Sequence, residues 1–400
     1  MLTSLALVFL VGLAFAEICQ RLHLPRIIGM LITGILLGPY VLDLFDSSIL
    51  GISADLRRMA LVIILIKAGL SLNIEDLKKV GRPAVLMSFL PALFEILAFF
   101  LFAPLVLGVN RIEAAILGAV LGAVSPAVVV PRMVQLMDER YGTDKRIPQM
   151  ILAGASLDDV FVIVLFSTFV AMAQGGSAQI MDFVNIPVSI VLGILLGAAV
   201  GFLLAWFFER NYTHGRLIRN SVKVIIVLGV SFLLLAVEDW LEGIIPVSGL
   251  LAIMSMALVL AMRSVPEVTS RQQEKYGKLW LAAEVILFVL VGAAVDIRYT
   301  LQAGAGAVLM IAVGLLFRCA GVWLCMPGTR LNRKERLYCM IAYLPKATVQ
   351  AAIGSIPLAL GLPCGNIVLS VAVLSILITA PLGAIGMDMS YRKLLNPECK

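Results

Sequence analysis

The sequence predicts an all-α polytopic membrane protein, with about thirteen transmembrane helices in two inverted repeats and broken helices 5 and 12 crossing near mid-membrane. Three observations predict it. Hydrophobic residues make up 61% of the 400 and charged residues only 14%, where a soluble chain would be about a quarter charged. Apolar stretches of about 20 residues, long enough to cross a bilayer as a helix, recur from end to end. Short segments in the two halves match at a near-constant offset. A soluble enzyme is excluded. The six cysteines (Cys19, Cys319, Cys325, Cys339, Cys364, Cys399) are scattered, with neither metal-ligand spacing nor a disulfide framework.

The predicted spans follow in order. Span 1 (2–20) contains "AFAE" (14–17), an A-x-A-like pattern before Glu17 that mimics a signal cleavage site. No Lys or Arg precedes it, so it reads as the first helix. Span 2 (26–42) follows Pro25. Span 3 (57–74) carries Lys67, and span 4 (83–107) carries Glu95. Span 5 (112–137) is interrupted by Pro126 and Pro131. Span 6 (148–174) carries Asp158 and Asp159, and span 7 (184–208) is a linker. Spans 8 (218–237), 9 (244–262) and 10 (278–296) follow. Span 11 (301–326) carries Arg318, span 12 (336–360) holds Pro345, Lys346 and Pro357, and span 13 (366–388) is last. The connections are short, and no appended soluble domain is expected.

Charge fixes the expected orientation. Of the 31 Lys and Arg, twenty-three lie after spans 1, 3, 5, 7, 9 and 11 and at the C-terminus. Only Arg57, Arg58, Arg111 and Arg298 lie on the opposite side. The positive-inside rule then puts the N-terminus outside and the C-terminus in the cytoplasm. Topology therefore accounts for the net charge of +6, and no nucleic-acid partner is implied. Lys223 is placed to snorkel. His23, His214, Glu75, Asp138, Glu139 and Asp144 read as residues of cytoplasmic loops, the acids helping to attract cations.

The repeat is visible in "LIKAGLSLNI" (65–74) and "FVLVGAAVDI" (288–297). Aligning Gly69 with Gly292 also aligns Asn73 with Asp296 and Ile74 with Ile297. Within a few residues the same shift matches Pro25 and Gly29 to Pro246 and Gly249, and "SPAVVV" (125–130) to "LPKATV" (344–349). Seven helices separate the pairs, so the halves are inverted. Residues 1–174 form the first repeat (spans 1–6), 175–216 a linker with span 7, and 217–390 the second repeat (spans 8–13). Such repeats suit an alternating-access transporter with its site between the halves. Spans 5 and 12 both carry mid-span proline, which removes a backbone donor and disfavours helix just before it. Unwound backbone at that depth is tolerated where it lines a cavity or is buried in protein.

The buried charges share one layer. At 1.5 Å per residue, Asp158, Asp159 and Lys346 lie about 15 Å from the cytoplasmic ends, Glu95 roughly 18 Å and Arg318 about 12 Å. Three acids and two bases leave a formal charge of −1, which one monovalent cation or one proton neutralises. That is a design for exchange, with two ligands competing for one vacancy. Hard cations such as Na⁺ take oxygen ligands. Asp158, Asp159, the hydroxyls of Ser125 and Ser156 and unwound carbonyls can supply them. Burial and neighbouring charge both move the ionisation of such carboxyls, so the carrier is expected to be pH-sensitive. Neighbouring helical residues face about 100° apart, so Asp158 and Asp159 need not share a task. Asp159 is expected to bind the ion and the proton, with Asp158 held partly by Lys346. A Glu95–Arg318 bridge is expected to be structural, since arginine does not give up its proton.

These residues resemble a known family. "GASLDDVFVIVLF" (154–166) resembles the paired-aspartate motif of the monovalent cation:proton antiporter superfamily, and "LPKATVQAAIG" (344–354) its second broken helix. "LPRIIGMLITGILLGP" (24–39) and "EVILFVLVGAAVDI" (284–297) are similar to its other signatures. The resemblance spans essentially the whole chain and is strongest to the sodium/proton antiporters of the NHA type. It implies the sodium/proton antiporter fold, Na⁺ or Li⁺ exchanged for H⁺ without a cofactor, and elevator-type motion. It also implies a homodimer, with a core domain from spans 3–6 and 10–13 and a dimer domain from spans 1, 2, 7, 8 and 9. The lipid bilayer and interfacial anionic lipid are the other expected partners, and a bacterial inner membrane is the expected location. In the NHA group a Glu and an Arg in the positions of Glu95 and Arg318 form an ion pair. Electrogenic relatives carry Lys where Arg318 stands, so one-for-one electroneutral exchange is expected here. Some relatives place an acid in the first broken helix, and "AVSPAVVVP" (123–131) has none. K⁺/H⁺ exchange, a sodium-coupled organic-anion symporter and a non-cycling channel or sensor remain the alternatives.

Overall fold

The computed structural model describes the chain except residues 23, 72–80, 176–179, 214–217, 242–244, 246 and 398–400. For 156, 157, 160, 180–187, 190, 213 and 297–303 it describes the backbone but not the side chains. His23, His214, Asn73 and Glu75 therefore lie outside the described residues, as does the side chain of Ser156.

The described chain is helical, apart from one isolated bridge between Tyr141 and Pro397. It opens with α1 (Leu2–Arg21), α2 (Arg26–Leu37), the short α3 (Ser47–Gly51) and α4 (Ser53–Ser71). Next come α5 (Arg82–Met87), α6 (Leu90–Leu107), α7 (Arg111–Leu121), α8 (Pro126–Asp138) and α9 (Ile147–Gln174). The middle holds α10 (Ile180–Thr213), α11 (Asn220–Leu241), α12 (Gly249–Arg263) and α13 (Pro266–Ala293). Last come α14 (Ile297–Leu324), α15 (Arg333–Ala342), the short α16 (Thr348–Ile353) and α17 (Ile356–Ala359), and α18 (Gly365–Leu394). Among the described residues, eight helical stretches are long and apolar enough to cross a membrane, and shorter apolar helices accompany them. This is a multi-pass integral membrane protein.

Several elements differ from the predicted spans. Span 4 is two helices, because the chain turns at Ser88–Phe89 before α6 starts at Leu90, with Pro91 in its first turn. Span 12 is three, α15 to α17. Helix α13 begins at Pro266, twelve residues before span 10, and so carries the polar run from Glu267 to Lys278. A hydropathy boundary marks where a helix enters an apolar medium, not where its hydrogen bonds begin.

Helices α7 and α15 start alike. Asn110 accepts from the Glu113 amide at 2.9 Å while the Glu113 carboxylate accepts from the Asn110 amide at 2.8 Å. Asn332 and Glu335 repeat this box at 2.9 and 2.7 Å. Each box satisfies two otherwise orphaned N–H groups. Both helices then stop early. Gly122–Ser125 are non-helical before Pro126 starts α8, and Tyr343–Ala347 are non-helical before α16.

The described residues pack as two units. One comprises Met1–Arg57, Asn73–Gln174 and Val285–Lys400, the other Arg58–Leu72 and Gly175–Glu284. By packing, α1 and α2 thus fall in the first unit, although the sequence places them with the dimer domain. In the first unit Gly34 of α2 lies against the backbone of Val289 and Ala293, and Gly292 against the carbonyl of Leu31. A Cβ at either glycine would collide with main chain, so glycine lets these helices touch. In the second unit Gly193, Gly197 and Gly201 of α10 meet Ser248, the N-cap of α12, and Ala252 and Met256 within it, each set spaced by four. There Arg58 pairs with Asp239 at 3.3 Å and Lys223 lies over the Phe208 ring at 5.2 Å.

Candidate functional site

The site lies wholly within the first unit. Glu95 comes from α6, Asp158 and Asp159 from α9, Arg318 from α14, Ser125 from the first break and Lys346 from the second. All six are buried; Glu95, Ser125, Asp158, Arg318 and Lys346 have no exposed area, and Asp159 is 8% exposed. The structure therefore brings together every predicted site residue whose side chain it describes. Ser156 sits on α9 two residues before Asp158.

Arg318 is the hub. Its Nη1 donates to Glu95 Oε2 at 3.0 Å and to the Gly122 carbonyl. Its Nη2 donates to Asp158 Oδ2 at 2.8 Å, and its Nε to the Tyr343 carbonyl at 2.7 Å. The guanidinium also lies 5.5 Å from the centre of the Tyr343 ring. A planar fork of donors can serve these four acceptors at once, which an ammonium on a flexible stem does less well. Lys346 Nζ donates to the same Glu95 oxygen at 2.7 Å and to the Leu121 carbonyl.

This corrects one expected pairing. Asp158 forms its ion pair with Arg318, and Lys346 forms its ion pair with Glu95. The expected Glu95–Arg318 pair is present but belongs to a larger network. The reason is geometric: Arg318 reaches across to α9, leaving Lys346 beside the carboxylate of α6.

The breaks are held by the same groups. The Val124 amide donates to Asp158 Oδ2 at 2.9 Å. The Ser125 amide donates to the Pro345 carbonyl at 2.8 Å, a main-chain bond between the two breaks. The Lys346 amide donates to Thr379 Oγ1 of α18 at 3.0 Å. Gln350 touches both breaks, donating to the Ala123 carbonyl at 2.8 Å and accepting from the Ala347 amide at 2.7 Å. Gln350, Tyr343 and Thr379 were not singled out from sequence. The signal was there for Gln350, the one uncharged polar side chain in "VQAAIG" just after Lys346.

Several buried oxygens have no hydrogen-bond partner among the described residues: Asp158 Oδ1, Asp159 Oδ1, Ser125 Oγ, Glu95 Oε1, Thr348 Oγ1 and the Tyr343 hydroxyl. Asp159 is distinctive, because its carboxylate joins neither an ion pair nor a hydrogen bond among those residues. With all five groups ionised, three acids against two cations leave one formal negative charge, and the acid outside the ion pairs is Asp159. Oxygen donors of this kind, short of partners and carrying one net charge, are what a small hard monovalent cation needs. Among the described residues no three His, Cys, Asp or Glu side chains cluster as metal ligands, at this site or elsewhere.

The chain is similar to known proteins over nearly its whole length. The sequence model of the "sodium/hydrogen exchanger, transmembrane" family matches residues 5–388. The chain is 34% identical over 384 residues to sodium/hydrogen exchanger 9B2 of Homo sapiens, covering 93% of this chain and 70% of that one. It is 30% identical over 385 residues to sodium/hydrogen exchanger 9B1 of Homo sapiens, covering 93% and 73%. Its fold is similar to that of the sodium proton antiporter MjNhaP1 from Methanocaldococcus jannaschii at pH 8, with a TM-score of 0.83, 24% identity and 98% of each chain covered. Matched over nearly its whole length in sequence and in fold, the chain belongs to the sodium/hydrogen exchanger family.

Proposed function

We propose that the protein exchanges Na⁺ or Li⁺ for H⁺ across a cell membrane, one for one, with Asp159 as the shared site. The observation that carries this reading is Asp159, unpaired among the described residues, beside a network whose other charges are all paired. A cation or a proton can each neutralise the remaining charge, so binding of one displaces the other. Asp158 Oδ1 and Ser125 Oγ are buried oxygens free to complete a cation's shell, and Ser156 is proposed to join them. Arg318 stays charged throughout, and Lys346 is engaged with Glu95. A single proton site per cation site makes the exchange electroneutral.

The inverted-repeat reading favours alternating access of the elevator type. In it the core domain of spans 3–6 and 10–13 moves against a dimer domain of spans 1, 2, 7, 8 and 9, in a homodimer. The distribution of Lys and Arg supports an outside N-terminus and a cytoplasmic C-terminus, in the bacterial inner membrane that the sequence suggests.

The test uses proteoliposomes with an acid interior and a pH dye, to which Na⁺, Li⁺ or K⁺ is added outside. Na⁺ or Li⁺ should dissipate the gradient in wild type and not in Asp159→Asn. Dissipation by K⁺ alone would keep the chemistry and change the cation. Folded protein that moves no protons with any cation over a broad pH range would sink the exchange reading.

A further inference from the structure

We infer that Gln350 is a positioning residue for the exchange: its amide clasps the two helix breaks together and so sets the affinity for the cation. This rests on the proposed exchange at Asp159. Gln350 is fully buried at the third position of α16. Its Oε1 reaches back to the Ala347 amide and its Nε2 crosses to the Ala123 carbonyl. Ala123 lies two residues before Ser125, and Ala347 directly follows Lys346. The orientation of the amide is determined, because an N–H must meet oxygen and a carbonyl must meet NH₂.

Five charged side chains surround the breaks: Glu95, Asp158 and Asp159 from α6 and α9, Arg318 from α14, and Lys346 from the second break. Their mutual contacts run through carboxylates, whose charge changes when a cation or proton arrives or leaves, while Arg318 and Lys346 also hold the Gly122, Tyr343 and Leu121 carbonyls. An amide does not titrate. Gln350 therefore holds Ala123 against Ala347 in every ligation state, beside the Ser125–Pro345 main-chain bond. It keeps Ser125 Oγ placed relative to α9 while the charge on α9 changes. Replacing Gln350 with an apolar residue would leave a buried carbonyl and a buried N–H unpaired and let the breaks slip.

The decisive comparison is Gln350→Leu against Gln350→Glu. A protonated Glu rebuilds the clasp, its O–H donating to Ala123 and its carbonyl accepting from Ala347. An ionised Glu loses the donor and adds a fourth acid beside Glu95, Asp158 and Asp159. Wild type and both variants are reconstituted after a monodisperse elution, and Na⁺ KM, maximal rate and pH profile are measured. Gln350→Leu should raise KM by about ten-fold or more at every pH, the low end of the scale for two buried polar groups left unpaired, with the maximal rate within about two-fold. Gln350→Glu should match wild type at acid pH and lose affinity as pH rises. A wild-type KM and pH profile in both variants overturns the clasp, as does an equal loss of maximal rate in both with KM unchanged. Wild type that exchanges no cation overturns the exchange reading instead, which separates the two failures.

Discussion

Neutralising Glu95 tests the network most directly. One oxygen, Glu95 Oε2, receives Lys346 at 2.7 Å and Arg318 at 3.0 Å, with all three side chains fully buried. At about 3 Å and an effective dielectric of about 20, each pair carries roughly 5 kcal/mol of attraction. Removing one member of a buried pair costs about 3–5 kcal/mol, because the other is left uncompensated. In Glu95→Gln, Arg318 keeps Asp158 and two carbonyls, whereas Lys346 keeps only the Leu121 carbonyl. The loss therefore falls on Lys346, and the thermal midpoint should drop by several degrees. Lys346→Met should also destabilise. The double variant keeps the layer's formal charge at −1, as in wild type, so it should cost less than the two shifts summed, by about 1–3 kcal/mol of coupling. Midpoints of the four proteins in one detergent–lipid mixture measure this. Glu95→Gln also frees Lys346 to neutralise Asp159, so the Na⁺ KM should rise. Strictly additive midpoints, with KM unchanged in Glu95→Gln, would refute the reasoning.

Three further outcomes are expected. A Cβ at Gly154, one turn before Asp158, would run into the Tyr343 hydroxyl and crowd Met87; Gly154→Ala should lower the thermal midpoint, and adding Tyr343→Phe should recover part of the loss. The Gln135 and Tyr391 hydrogen bonds hold the Glu139 carboxyl below its ordinary value. Its contribution to stability is thus full above the ordinary carboxylate range and fades as pH falls through the lowered value. Tyr391→Phe should flatten that acid limb in a pH series of unfolding midpoints. Asn110→Ala and Asn332→Ala should each cost about 1 kcal/mol as lost caps, and a result near zero at both would show that the paired boxes add nothing.

The sequence exposed the parts of the site but not their pairing. Asp158, Asp159, Glu95, Arg318 and Lys346 stood out because charge inside an apolar run is costly. Proline marked the breaks, since it acts on the backbone locally. Who meets whom depends on helix rotation and on the reach of each side chain. Depth alone put Lys346 level with Asp158, but the fork of Arg318 claims Asp158 and leaves Lys346 to Glu95. Uncharged groups were quieter still. Thr379 sits in the apolar run of α18 and reads as an ordinary helix residue until the Lys346 amide is found against it. The matching N-R-x-E starts of α7 and α15 were not singled out from sequence, and their meaning depends on knowing that both helices lead into a break.

The backbone explains why Asp159 stands apart. Ending two helices inside protein strips hydrogen bonds from main-chain groups, each costly if left bare. Here the freed carbonyls of Leu121, Gly122, Ala123 and Tyr343 go to Lys346, Arg318, Gln350 and Arg318 respectively. The freed amides of Val124, Ser125, Lys346 and Ala347 go to Asp158, Pro345, Thr379 and Gln350. Arg318, Lys346 and Asp158 thus have two duties, balancing charge and satisfying backbone. Changing the charge on any of them would weaken a main-chain partner as well as an ion pair. Glu95 has no such backbone duty, but it holds two cations. Asp159 has neither obligation among the described residues, so its charge can change with the least disturbance to the breaks. A single variant separates this from a purely structural role: Asp159→Asn should leave the thermal midpoint close to wild type, whereas Asp158→Asn, which weakens both Arg318 and the Val124 amide, should lower it.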